Sequence, residues 1–424
     1  MAGCSTNIRA VKKIKPPQRC KWRYPSNAAI LVCLKLRTPD APVFHATSNA
    51  PYTRGQSPVV ILVGWHLGMI RTATFIAITF VVAYSFYVFP FVALAALFAG
   101  HAILQPWSLV PALLVLFLIR LYFSTSITNK VLKAFVYYGM GAGFISLWVT
   151  CLALAATLLP AVDNRSVAIL AMAAIFCLTV SALVNGARIT TKPLVLTSTK
   201  ISKPARLVFI SDVHVGSNAP RHLEHICETI RQHDADALLI GGDLFDSSDF
   251  SLDDLKALTR LDMNIFFITG NHEGYVKGYR KQLDRFKELN ITVLDNERVA
   301  LGELNLIGVA DEQPSGARVK TVERLYVAGA FNLALVHQPS IWDQTSHYTD
   351  LMLCGHTHKG QIFPFNFLVR LQFRYVFGLY GKSGAHLYVS SGVGCWGPRM
   401  RLGSKNEVIL LEIKPESLAS IMAD

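Results

Sequence analysis

Four long apolar runs fill most of residues 72–185 and constrain this chain more than any other feature. They cover about 72–99, 106–124, 134–159 and 166–185, each near the roughly 20 residues needed to cross a hydrocarbon core. The expected outcome is an N-terminal all-α transmembrane bundle within residues 69–187. Pro90 predicts a kink in the first span, because proline has no N–H for the helical ladder. Arg120 lies near the end of the second span and can snorkel. Gly139, Gly141 and Gly143 in the third would let neighbouring helices approach closely. Charges in the spans lie only near their ends, which argues against the intramembrane ion path of a transporter.

Charge sorts along the chain in three blocks. Residues 1–56 hold ten Lys/Arg and one acid, 57–200 hold eight and one, and 201–424 hold 23 against 26 acids. The net +13 therefore flanks the apolar runs and leaves the C-terminal half slightly acidic, which makes nucleic acid an unfavoured partner. Residues 1–68 read as a basic leader, disordered or not translated, with Met69-Ile70-Arg71 as an alternative start. Arg71, Arg120, Lys130, Lys133 and the cluster from Arg188 to Arg206 lie on one side of the four spans. The positive-inside rule then puts the C-terminal half in the cytoplasm of a multi-pass cell-membrane protein. The eight cysteines show no CxxC spacing and read as small buried thiols in a reducing compartment.

Residues 188–204 read as a linker, and from 205 to 424 the pattern changes. Short β runs are expected at 206–211, 237–241, 264–269, 291–294, 304–309, 332–336, 350–353, 385–390 and 407–413. Helical stretches are expected at 221–232, 252–260 and 279–289. This alternation predicts an α/β sheet structure, whose ligands bind beyond the carboxyl ends of the strands. Polar motifs stand at those ends. They are Ser211-Asp212-Val213-His214, Gly241-Gly242-Asp243-Leu244-Phe245-Asp246, Gly270-Asn271-His272-Glu273, His337-Gln338-Pro339 and Gly355-His356-Thr357-His358. Each alone is weak evidence. Together they bring seven oxygen and nitrogen donors to one end of one domain, which is costly to bury without cations. Carboxylate, amide and imidazole donors suit Mn, Fe or Zn.

This order of motifs resembles the calcineurin-like metallophosphoesterase superfamily, with its D-x-H, G-D-x-x-D, G-N-H-[ED], H and G-H-x-H pattern, over about residues 205–413. The resemblance implies a four-layer α/β sandwich, two mixed sheets flanked by helices. It implies two divalent metal ions. Asp212, His214 and His358 would hold the first, Asn271, His337 and His356 the second, and Asp243 would bridge them. His272 would stand beside the metals and meet the substrate phosphate or leaving group. Asp246 would orient a ligand histidine or serve only as a structural carboxylate.

The function implied is hydrolysis of a phosphomonoester, phosphodiester or pyrophosphate, because paired cations clamp phosphoryl oxygens and lower the pKa of bound water. Tethering to a lipid bilayer favours a lipid-linked substrate, such as a nucleotide-linked lipid A precursor. The rivals are a nuclease or nucleotide phosphodiesterase, and a membrane transporter or sensor with a regulatory domain of this type. Arg399 and Arg401 are candidates to meet a substrate phosphate. The run 363–377 interleaves aromatics with Arg370 and Arg374, which suits a bilayer interface. Burial of those aromatics in the core is the alternative.

Overall fold

The computed structural model describes residues 58–124, 129–160, 162–247 and 250–416, with side chains from residue 72 onward. Residues 1–57 of the expected leader lie outside the described residues. Five helices come first: α1 Pro58–Tyr87, α2 Phe89–Ala99, α3 Leu109–Ser124, α4 Lys130–Ala156 and α5 Asn164–Ala187. They supply four stretches long and apolar enough to cross a membrane, Thr72–Ala99, Pro106–Ser124, Lys130–Ala156 and Asn164–Ala187. Residues 58–68, expected to belong to the leader, are instead the first turns of α1.

The kink expected from Pro90 is the break between α1 and α2, where Val88 leaves helical geometry at φ −122°, ψ −58°. Gly143 on α4 packs against the Phe86 carbonyl, the group that Pro90 cannot satisfy, and any Cβ there would overlap it. Asn129 and Asp163 cap α4 and α5, each accepting from backbone N–H groups of the first turn. Gly141 faces the other way, toward Pro398 and Met400 of the C-terminal domain.

That domain holds two six-stranded mixed sheets. The strands are β1 Ile189–Ser198, β2 Ala205–Ile210, β3 Ala237–Ile240, β4 Asn264–Phe267, β5 Ile291–Val293, β6 Glu297–Leu301, β7 Leu304–Val309, β8 Phe331–Val336, β9 Leu351–Cys354, β10 Gly378–Lys382, β11 Ala385–Val389 and β12 Asn406–Pro415. One sheet runs β1-β12-β2-β3-β4-β5 and the other β10-β11-β9-β8-β7-β6. Their inner faces meet through Leu207, Phe209, Leu239, Leu306, Leu333 and Leu353. On the outer face of the first sheet, Val208, Leu238 and Ile240 pack on helix α6 (Pro220–Arg231) through Leu223, Ile226 and Ile230. The second sheet is covered by the helix Ser315–Leu325 and Trp342. Central strands are thus buried on both faces, so they read as unbroken apolar runs such as Ala-Leu-Leu-Ile at 237–240.

Three strands escaped the sequence reading, all at sheet edges: β1, β6 and β10. The linker expected at 188–204 contains β1, which pairs parallel with β12 from Ile189↔Asn406 to Ser198↔Pro415. Lys192 and Pro193 disguise it, and an edge position is where a strand tolerates proline. Helix α5 ends at Ala187, so the fourth span runs almost directly into this sheet. The stretch 279–289 forms only short helical pieces, Tyr279–Leu283 and Phe286–Leu289.

The domain is docked on α4 and α5. Ile145 and Ala182 cluster with Ile362 and Met400. Arg401 N donates to Ala182 O at 2.8 Å, and Asn406 Nδ2 donates to Gly186 O at 2.9 Å. A Cβ at Gly186 would come within 2.8 Å of the Met400 nitrogen. Gly186→Ala is therefore expected to lift the loop from the helix and cost about 1–3 kcal/mol, read as a lowered thermal midpoint of the full chain in detergent. Gly316→Ala, whose Cβ would meet open space, is the control that should leave the midpoint unchanged.

Candidate metal centre

The ends of β2, β3, β4, β8 and β9 converge, and each delivers one of the five motifs. Asp212, His214, Asp243 and His337 are buried, while Asn271, His272, His356 and His358 are half-buried on the open side. Donor atoms form clusters within 4.8 Å: Asp212 with His214 and His358, and Asp243 with His337 and His356. His214 also groups with Asp243 and His272. Asp243 Oδ2 lies 3.1 Å from His337 Nε2 and 3.9 Å from His214 Nε2, so one carboxylate stands between the two clusters. Asn271 Oδ1 is 3.2 Å from His337 Nε2.

The donor chemistry fits cations. His214 Nε2 and His358 Nε2 stand 3.2 Å apart, a separation that two imidazole nitrogens hold only with a proton or a cation between them. His337 Nδ1 is 2.8 Å from the Gly241 carbonyl, which can only accept, so Nδ1 carries the proton and Nε2 offers its lone pair to the site. Asp246 Oδ2 lies 3.1 Å from His214 Nδ1, off the angle of a hydrogen bond yet close enough to hold the ring by charge. Burial pushes His272 down to about 4 and His356 to about 3, so both rings are neutral at pH 7. Burial alone would raise Asp243, but the protonated forms of His337, His272 and His214 beside it outweigh that and hold the carboxyl well below its usual range.

Glu273 had no role assigned from the sequence, although it completes the G-N-H-[ED] motif. It is fully buried and accepts four backbone N–H groups: Leu244 at 2.6 Å, Phe245 and Asp243 at 3.1 Å, and Gly270 at 2.7 Å. It thus staples the Asp243 turn to the Asn271 turn. Burial and the nearby Asp243 push its carboxyl up to about 7. Tyr275 and Trp396 were also missed. Their rings lie 5.2 and 5.9 Å from the ring of His272, and both are exposed at the mouth of the site.

Arg399 and Arg401 are not brought in as free donors. Arg401 is fully buried and spends its guanidinium on the carbonyls of Ser391 (2.7 Å) and Gly394 (2.6 Å) and on Asn406. That brace holds the loop whose Val393 and Gly394 N–H groups bond the carbonyls of Ser211 and Asp212 at 2.9 Å. Arg399 donates to Gly186 O at 3.2 Å and faces His222 Nδ1 at 3.2 Å. Arg401 has every guanidinium nitrogen engaged, whereas Arg399 is held against the end of α5 through Nε and Nη2.

Residues 205–360 match the calcineurin-like phosphoesterase family. An uncharacterized metallophosphoesterase from Helicobacter pylori is 36% identical over 235 residues, which are 52% of this chain and 62% of that protein. Another from Aquifex aeolicus is 31% identical over 222 residues, 49% of this chain and 85% of that protein. This chain belongs to the calcineurin-like metallophosphoesterase family. Phosphodiesterase YaeI of Escherichia coli is 33% identical over 236 residues, covering 50% of this chain and 82% of that one. The chain spans less than two thirds of its Helicobacter pylori relative, and residues 205–360, which match the family, contain both donor clusters and Glu273.

Glu273→Ala would strand four buried N–H groups at roughly 1–3 kcal/mol each. The expected outcome is a stability loss of about 3 kcal/mol or more together with reduced metal content by elemental analysis, and a smaller effect for Glu273→Gln. An alanine variant with wild-type midpoint and metal content would remove the staple's role.

Proposed function

We propose that this chain hydrolyses a phosphoester or pyrophosphate bond at a two-cation centre held against a membrane. The observation that carries this reading is the pair of donor clusters meeting at Asp243. Asp212, His214 and His358 would hold one cation, Asn271, His337 and His356 the other, and Asp243 both. Two divalent ions there, Mn, Fe or Zn, would supply Lewis-acid polarisation of the phosphoryl group and a water of lowered pKa.

The chain's own contribution is placement and charge. Asp243 Oδ1 accepts from His272 N at 2.8 Å, which fixes the start of the turn that carries His272 over the site. His272 Nε2, 4.0 Å from Asp243 Oδ2, is beside the ligand set and half-exposed, suited to donate a hydrogen bond to charge developing on the substrate. Tyr275 and Trp396 line its open side and favour a substrate with an apolar or aromatic portion.

The site loops touch the membrane helices: Lys133 Nζ of α4 donates to Gly216 O, beside His214, and Gly397 lies next to Met140. This contact supports a lipid-linked phosphoester or pyrophosphate, such as a nucleotide-linked lipid precursor, as the substrate class. Loop charge supports a cytoplasmic catalytic domain in the cell membrane. The acidic balance of residues 201–424 disfavours a nuclease.

Chelation, Asp243→Asn and His356→Ala should each bring turnover of a phosphodiester below about a tenth of wild type. His272→Ala should lower it by about 10²–10⁴-fold while metal content stays at the wild-type level, and loss of a metal in that variant would overturn its assignment. Orientation is checked separately on sealed cells. Cleavage of the C-terminal domain by external protease would reverse the topology without touching the chemistry.

A further inference from the structure

We propose that a cavity beside the metal loops binds the phosphate headgroup of an anionic phospholipid taken from the surrounding bilayer. The cavity measures about 410 Å³ and is lined by Lys359, Arg370, Phe373, Arg374, Phe377 and Tyr380 among others. Three of these are cations and three are aromatic. Lys359 Nζ stands 4.2 Å from the centroid of Phe377, and Lys192 shares the same ring at 4.9 Å. Arg374 has a partner in Asp343 at 3.2 Å. Arg370 is exposed and has no carboxylate within ion-pair distance among the described residues. The lining therefore carries an excess of positive charge over the groups that neutralise it, which calls for an anion.

The surface next to it says which anion. Arg370 sits on the helix Phe365–Gln372, which also leaves Phe367, Leu368 and Leu371 at 54, 50 and 84% exposure, with Phe363 at 49% just before it. Four large apolar side chains in water are costly, and aromatic, aliphatic and cationic residues on one short helix suit the headgroup–acyl boundary. This helix also adjoins the membrane helices. Phe365 meets Phe144 of α4 with ring centroids 6.2 Å apart, and Ile362 clusters with Ile145 and Ala182. A free phosphate would satisfy Arg370 and Lys359 but leave the apolar face bare. A phospholipid satisfies both, with its phosphate between the cations and an acyl chain along Phe367, Leu368 and Leu371. The cavity is separate from the metal centre: Phe373 forms its wall, edge-on to the ring of His356 at 5.1 Å. The inference needs the membrane location and is independent of the hydrolytic reading.

The test is native mass spectrometry of the full chain in uncharged detergent with equal amounts of phosphatidylglycerol and phosphatidylcholine. The wild type should carry phosphatidylglycerol in preference. Arg370→Glu should weaken that binding by about tenfold, the scale set by reversing one charge at such a surface, whereas Arg370→Lys should keep it. Leu371→Asp, at the most exposed position, should weaken binding of both lipids. Should Arg370→Glu fail to accumulate, Arg370→Gln carries the same comparison. Undiminished preference in the Arg370 variants overturns the proposal. So does binding of inorganic phosphate that matches the lipid in strength and in dependence on Arg370, because the occupant would then be a soluble anion.

Discussion

A carboxylate with almost no solvent exposure cannot remain ionised without opposite charge close by, and Asp243 is such a group. Its two oxygens face a ring nitrogen of His337 and the backbone N–H of His272, while its own N–H is taken by Glu273. The donor clusters on either side of it are groups that could hold cations. Asp212, His214, Asp243, His356 and His358 all adopt positive φ, between 49° and 72°. Asp and His enter that region more readily than most residues, yet each such position still costs of order 1–3 kcal/mol. The strain persists because every one of these residues follows a strand clamped on both faces, so the buried sheets fix the geometry that the site requires.

The same sheets tie the site to the membrane segment. Strand β1 leaves α5 after a single residue and pairs along its whole length with β12. Strand β12 in turn neighbours β2, which ends one residue before Ser211 and two before Asp212. Arg401 completes the connection by bracing the 391–394 loop beneath Asp212 while its own N–H bonds Ala182 of α5. Removing the domain from the helices would therefore disturb the backbone that carries the first donor cluster.

The convergence of the candidate donors was legible in the sequence because polar motifs at strand ends leave short, ordered signatures that central strands make easy to find. The runs around Leu207, Leu239 and Leu353 are apolar without alternation, as doubly buried strands must be. What remained hidden had no such pattern. Edge strands β1, β6 and β10 alternate only partly and contain polar residues, proline or glycine. The four-bond role of Glu273 depends on turns that meet only in three dimensions. Arg399 and Arg401 look in sequence like phosphate ligands, since nothing local reveals that Arg401 is buried among loop carbonyls and that Arg399 is held against the end of α5. The run 363–377 could be read as core or as interface, and exposure of Phe363, Phe367, Leu368 and Leu371 excludes the core for those four.

These connections limit how the metal centre can move. A domain on a loose linker could turn its site toward the aqueous phase and meet any soluble phosphoester. Here the would-be linker is a sheet strand with ten paired positions, which leaves only Arg188 between α5 and the sheet. The loops 396–403 are pinned as well, by Gly141 and Gly186, where the helix backbones admit them without a side chain between. The mouth of the site, marked by His272, Tyr275 and Trp396, is consequently held at a constant height against α4. A phosphate presented by a molecule anchored in the same bilayer needs little further search to reach it, because anchoring has already removed most of the translational freedom that binding would otherwise have to take away.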